Sequence, residues 1–214
     1  MQGKLVPVDK YSSNIKQLDI LRRVNVDYSL LCREKVAKKL RNVANKLPNN
    51  LKLQVDSAYR TRETQKILYE NRKKDVPWLV FNPNTSIPPH CTGGAVDISL
   101  VDKNGLEINL STPFEKFYAE PKLHSNKITN EAQKLRLLLY EAMLEEGFAP
   151  NEREYWHFSY GDKMWAEYYK TKVLFEEIEL QRNYYFPQYI IIWFKGKRKI
   201  WKLINHLFNI KTNY

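Results

Sequence analysis

The sequence predicts an α+β fold, with a small antiparallel sheet flanked by helices. Three observations point there. Apolar residues recur at helical spacing in residues 29–47 and again in 130–146, while residues 51–59 alternate apolar and polar. These patterns come in mixed order along the chain, which fits neither an all-helical bundle nor a regular strand–helix–strand repeat. A Lys103-Asn104-Gly105 turn after an apolar run implies a hairpin, hence antiparallel pairing.

Taken in order, SLLCREKVAKKLRNVANKL (29–47) places Leu30, Val36, Leu40, Val43 and Leu47 on one helical face, and Pro48 ends it. LKLQVDSAY (51–59) alternates Leu51, Leu53 and Val55 with polar partners and reads as a strand. It leads into a helix over RTRETQKILYENRKK, with Arg60 at the entrance. Residues 76–89 hold four prolines with Asn82, Asn84, Thr85 and Ser86, and read as loop. AVDISLVD (95–102) is a short strand, returning after the turn through LEINL. In NEAQKLRLLLYEAMLEE (130–146), Leu135, Leu138, Leu139 and Met143 form a face, and Gly147 terminates the helix. FAPNEREYWHFSY (148–160) then forms a strand or its edge.

The chain has 214 residues, enough for one well-cored domain with an appendage. A hydrophobic content of 43% with 13% aromatics excludes disorder as the general state. Two cysteines, Cys32 and Cys91, make no disulfide framework. The first twenty residues lack the apolar core of a signal peptide, and no stretch reaches the ~20 apolar residues of a spanning helix. The expected location is therefore cytoplasmic. The net charge is +11, and residues 181–214 hold seven Lys/Arg with no Asp or Glu. The expected organisation is a catalytic domain over 1–168 and a basic, aromatic extension over 169–214. In that extension Ile200, Leu203, Ile204, Leu207 and Phe208 recur at helical spacing beside lysines. This suits peripheral contact with an anionic membrane, or docking on the catalytic domain. Beyond charge, nothing supports nucleic-acid binding.

Three fragments carry chemistry. PPHCTGGAVDIS puts His90 and Asp97 seven residues apart around Gly93-Gly94, and EYWH puts Glu154 and His157 three apart. Two imidazoles and a carboxylate form a complete protein ligand set for a catalytic zinc, leaving a fourth position open. The small residues after His90 let backbone pass close to an ion or substrate. Glu154 is placed to move a proton, provided that a bulge or strand end turns it toward the metal of His157. A distant arginine, Arg60 or its neighbour Arg62, would serve an oxyanion. Cys91 is conceivable as a thiolate ligand but reads better as a small core residue. His124 and His206 read as solvated, and Trp156 reads as core, pocket wall or both.

SAYR, PHCTGGAVDISL, TPFEKF, NEAQKLR and EGFAPNEREYWHFSYGDKMWA, in that order, resemble the D-alanyl-D-alanine dipeptidases of the vancomycin-resistance type. These zinc peptidases share a fold with bacterial D,D-carboxypeptidases and the hedgehog signalling domain, and the resemblance covers roughly residues 29–168. It implies one zinc on His90, Asp97 and His157, Glu154 as general base, and Arg60 rather than Arg62 on the oxyanion. It also implies that Glu115, in TPFEKF, holds the ammonium group of a small D,D-dipeptide, where an aspartate is commoner. Pro88 stands where many relatives carry a serine. The rival readings are a D,D-carboxypeptidase or peptidoglycan endopeptidase of the same fold, and a non-catalytic zinc-stabilised binding domain.

Overall fold

A computed structural model describes residues 3–18, 30–75, 77, 80–111, 122–123 and 125–179. All of them lie in one compact unit, Met1–Glu179. Glu115, His124, His206 and the whole basic stretch 181–214 lie outside the described residues.

The chain opens with three strands of three residues each: β1 (Leu5–Pro7), β2 (Ile15–Gln17) and β3 (Leu31–Arg33). Helix α1 (Glu34–Lys46) follows directly, so its N-terminus lies several residues inside the predicted segment. Strand β4 (Leu51–Ser57) and helix α2 (Arg62–Arg72) come next, and Thr61 caps α2 by accepting the Thr64 N–H at 3.0 Å. A single 3₁₀ turn, Pro89–Thr92, precedes β5 (Val96–Asp102). Helix α3 (Asn130–Glu145) is capped by Thr129 and stopped by Gly147, whose φ of 76° favours glycine. The hairpin β6 (Ala149–Asn151) and β7 (Glu154–Ser159) leads to the short helix α4 (Lys163–Tyr168).

β1 and β3 form a small antiparallel ribbon, and the remaining strands form one sheet in the order β2-β4-β5-β7-β6. The fold is α+β as predicted, with one departure: β2 runs parallel to β4. Its return passes through residues 18–50, which include β3 and α1, and a crossover of that length delivers a parallel strand. The other pairings in the sheet are antiparallel. The return after Gly105 pairs with β5 through an antiparallel bridge, Val101 to Glu107, with the Ile108 N–H donating to the Leu100 carbonyl.

The core lies between the sheet and the first and third helices. Leu53, Val55, Ile98 and Leu100 of the sheet pack with Val36, Leu40 and Val43 of α1 and Leu139 and Met143 of α3. Leu135 and Leu138, predicted on the α3 face, are only partly buried. Arg136 is fully buried instead, donating to the carbonyls of Leu110 and Lys122 and lying over the Tyr155 ring.

Residues 171–179 form no regular element yet strap the body. Phe175 is buried, its N–H and that of Leu174 donate to the Gly161 carbonyl, and the Ile178 N–H donates to the Cys91 carbonyl. Tyr59 Oη donates to the Ile178 carbonyl, and Arg62 pairs with Glu177. Arg33 ties the strap to the rest, donating to the carbonyls of Gly3, Thr92 and Glu176.

Candidate metal centre

The centre of the sheet brings the ligands together by register. Asp97 on β5 lies directly opposite His157 on β7, which puts their side chains on the same face. His90 arrives from the 3₁₀ turn just before β5. Gly93 and Gly94 make this approach possible, though for a reason other than contact with an ion. Gly93 has φ of 70°, and a Cβ at Gly94 would run into the Tyr160 carbonyl. The Tyr160 N–H in turn donates to the Gly94 carbonyl at 3.1 Å, so the loop is laced to the end of β7.

The ligand atoms of His90, Asp97 and His157 lie within 4.8 Å of one another, and all three residues are buried. His90 Nε2 is 3.2 Å from His157 Nδ1 and 3.3 Å from Asp97 Oδ2, and His157 Nδ1 is 2.9 Å from Asp97 Oδ1. Donors bonded to zinc at ~2.0–2.1 Å in a tetrahedron stand about 3.3 Å apart. The spacing fits the metal.

Proton accounting agrees. His90 Nδ1 lies 2.7 Å from the Ala58 carbonyl, which can only accept, so Nδ1 carries the proton and Nε2 presents a lone pair. Burial, aided by the Arg60 charge, pushes His90 down to about 4 and keeps it neutral. Burial works to raise Asp97, but the two neighbouring imidazoles and Arg60 outweigh it and hold the carboxyl well below its usual range. Burial opposes the charge on His157 too, but Asp97 prevails and raises it. The His90 lone pair, a carboxylate and the second imidazole thus converge on one point, where a cation would replace the proton that Asp97 draws to His157.

The ligands open onto a cavity of about 440 Å³ whose walls include Arg60, Asn151, Glu154 and Trp156. Glu154 and His157, three apart on a strand, should face opposite sides. They share the cavity because the β6–β7 register shifts between Pro150 and Asn151, the irregularity that the sequence required. Burial, with Asp97 adding to it, raises Glu154 to about 7, against the pull of His157, Arg60 and the Asn151 amide. That amide donates to Glu154 Oε2 at 3.0 Å. Trp156 is 2% exposed and serves both as core and as cavity wall.

Arg60 donates to Asp97 Oδ2 at 2.7 Å and twice to Ser57 Oγ, at 3.0 and 2.8 Å. A one-residue bulge between Val55 and Ser57 brings Ser57 opposite Asp97. Arg62 turns away, to Glu177 and the Pro83 carbonyl. Cys91 is not among the converging ligands, and burial pushes its thiol up to about 12. Ser57 and Asn151 gave no signal in the sequence, since an ordinary polar residue acquires its role only through a distant strand. Glu115 lies outside the described residues.

Comparison with known proteins agrees with this geometry. Residues 19–175 match the family model described as D-ala-D-ala dipeptidase (peptidase M15). A D-alanyl-D-alanine dipeptidase of Synechocystis is 34% identical over 107 residues, 44% of this chain and 43% of that protein. A D-alanyl-D-alanine dipeptidase of Escherichia coli K12 is 27% identical over 110 residues, 51% of this chain and 55% of that protein. The chain thus spans about half the length of the curated relatives it matches. The family match covers most of the chain, and with the His-His-Asp cluster in place the chain belongs to the D-ala-D-ala dipeptidase family of peptidases.

Proposed function

We propose that the chain is a zinc-dependent hydrolase of the D-alanyl-D-alanine dipeptide. The observation that carries this reading is the convergence of His90, Asp97 and His157 at tetrahedral spacing beside a buried Glu154. His90, Asp97 and His157 would hold the zinc, which when bound would supply Lewis-acid chemistry for the scissile carbonyl and an attacking water.

The protein groups do the rest. Glu154, with its affinity for protons raised to near neutrality, takes the proton of the attacking water and delivers it to the leaving amine. Arg60, fixed by Ser57 and Asp97, lines the cavity and stabilises the charge that develops on the carbonyl oxygen. Trp156 walls the cavity. Glu115 is assigned to the substrate's ammonium group by the motif that contains it. The basic residues of 181–214, with the apolar stripe Ile200, Leu203, Ile204, Leu207 and Phe208 beside them, are assigned to an anionic membrane surface.

The test compares free D-Ala-D-Ala, L-Ala-L-Ala and N-acylated D-Ala-D-Ala on zinc-loaded protein. Free D-Ala-D-Ala should be cleaved far faster than the other two. Equal cleavage of the acylated peptide would replace this reading by that of a carboxypeptidase. No cleavage of any of the three would remove the dipeptidase reading.

A further inference from the structure

The cavity carries more positive charge than the chemistry at the metal uses. Among the described residues its walls include three arginines, Arg60, Arg72 and Arg153, and two carboxylates, Asp97 and Glu154. Asp97 is a ligand, Glu154 is the proposed base, and Arg60 is tied to Asp97 and Ser57. The other two arginines come from separate elements. Gln65, Leu68 and Arg72 are spaced by three and four on α2, so one helical face lines the cavity. A long side chain on a helix points back toward the N-terminus, so Arg72 reaches over Leu68 toward the end of α2 that adjoins Arg60. Arg153 sits in the two-residue turn between β6 and β7. Its N–H donates to Asn151 Oδ1 at 3.1 Å while the Asn151 amide donates to Glu154, so one side chain holds the arginine's backbone beside the base. Exposure rises from buried Arg60 through half-buried Arg72 to exposed Arg153, which puts the two further cations toward the mouth of the cavity.

We propose that Arg72 and Arg153 form an anion subsite that takes a carboxylate of the residue released as the leaving amine. Two guanidinium groups repel a substrate's ammonium and attract its carboxylate, so charge alone sets which end of a dipeptide points toward them. The guanidinium fork also matches a carboxylate in shape, pairing with both oxygens at once. The cavity, about 440 Å³, lies in the range that buries a drug-sized ligand. It has room for a second residue longer than alanine, so the carboxylate can belong to the main chain or to an acidic side chain. Arg72 and Arg153 bind substrate in this role, and neither holds the metal nor moves the proton.

The inference rests on the dipeptidase reading above, and two readouts keep them apart. The first is cleavage of D-Ala-D-Ala, D-Ala-D-alaninamide, D-Ala-D-Glu and D-Ala-D-Gln by zinc-loaded wild type, Arg72→Gln, Arg153→Gln and the double variant. The double variant should raise KM for the preferred charged substrate about 10–100-fold, with a far smaller change in kcat. If it erases an advantage of D-Ala-D-Ala over the alaninamide, the main-chain carboxylate is the one bound. If it erases an advantage of D-Ala-D-Glu over D-Ala-D-Gln, the side chain is. The second readout is calorimetric binding of D-Ala-D-Ala and D-Ala-D-Glu to the metal-free protein. The double variant should weaken it by a similar factor, and salt should weaken wild-type binding more than that of the double variant. Should wild type cleave none of the four while binding still falls in the double variant, the dipeptidase reading goes and the anion subsite stays. Equal KM and equal affinity in wild type and double variant overturn the subsite and leave the dipeptidase reading standing. Arg153 is on an exposed turn, so unchanged KM and affinity in Arg153→Gln alone overturn the pairing even if Arg72→Gln fails to fold. Absence of both cleavage and binding removes both.

Discussion

At Glu154 burial outweighs the neighbouring groups that favour the charged carboxylate. Because burial raises it to about 7, the folded protein holds this proton more tightly than the unfolded chain does. Stability therefore falls as pH rises from the ordinary carboxylate range through about 7, with the full penalty present above that and none well below 4.5. Metal-free Glu154→Gln should be more stable than wild type at pH 8 by roughly 3 kcal/mol, the gap closing toward pH 4. Urea melts at both pH values measure this. The zinc-loaded variant should keep its metal, since Glu154 is not among the clustered ligands, and on the proposed role of Glu154 it should lose nearly all turnover. Asn151→Ala removes the amide that favours the ionised form, so the acid limb of kcat/KM should move up by about one pH unit. A pH–rate profile that did not move would separate Asn151 from the base.

At the scale of the elements, helices α1 and α3 and strands β4 and β5 were legible because each is long enough to show its period. β1, β2 and β3 were not, since three residues cannot display an alternation, and their pairings join segments far apart in sequence. The start of α1 was misplaced because Leu30, like the helix face, is buried, while Leu31–Arg33 pair with β1. The ligands His90, Asp97 and His157 could be read as a set from their chemistry. Ser57 and Asn151 could not, because a bulge and a register shift bring them to the site, and neither leaves a mark in one strand's pattern. The bulge that Glu154 needed was foreseen from the geometry of the strand alone. Gly94 is the tightest joint between the metal loop and β7. Gly94→Ala should destabilise the fold by about 1–3 kcal/mol and weaken zinc binding, because the new methyl group meets backbone that cannot swing aside. Thermal melts and chelator competition would show both effects. A tolerated alanine would mean that the loop can shift without disturbing its histidine.

For the whole molecule, the strap 171–179 belongs to the described body, whereas 181–214 holds the charge surplus. A chain ending at residue 179 should keep its fold and its metal. One ending at residue 168 should bind zinc more weakly, since it loses buried Phe175, the Arg62–Glu177 pair and the bond from Ile178 to the metal loop. The chain ending at 179 should also fail to bind anionic vesicles that full-length protein binds in a salt-sensitive way. Sedimentation with vesicles at two salt concentrations checks this. Among the described residues no helix is long and apolar enough to cross a membrane.

The three carbonyls gathered by Arg33 also set an order of events. Gly3, Thr92 and Glu176 belong to the start of the chain, the metal loop and the strap, so the guanidinium cannot be satisfied until nearly all the body has been synthesised. The contact between Arg33 and Glu176 spans 143 residues, and closing so long a loop comes late in folding. His157, the last ligand, precedes Glu176 by only 19 residues, so the ligand set and the strap that ties its loop are completed almost together. The strap 171–179 is thus the last part of the described body to be made and the part that closes it.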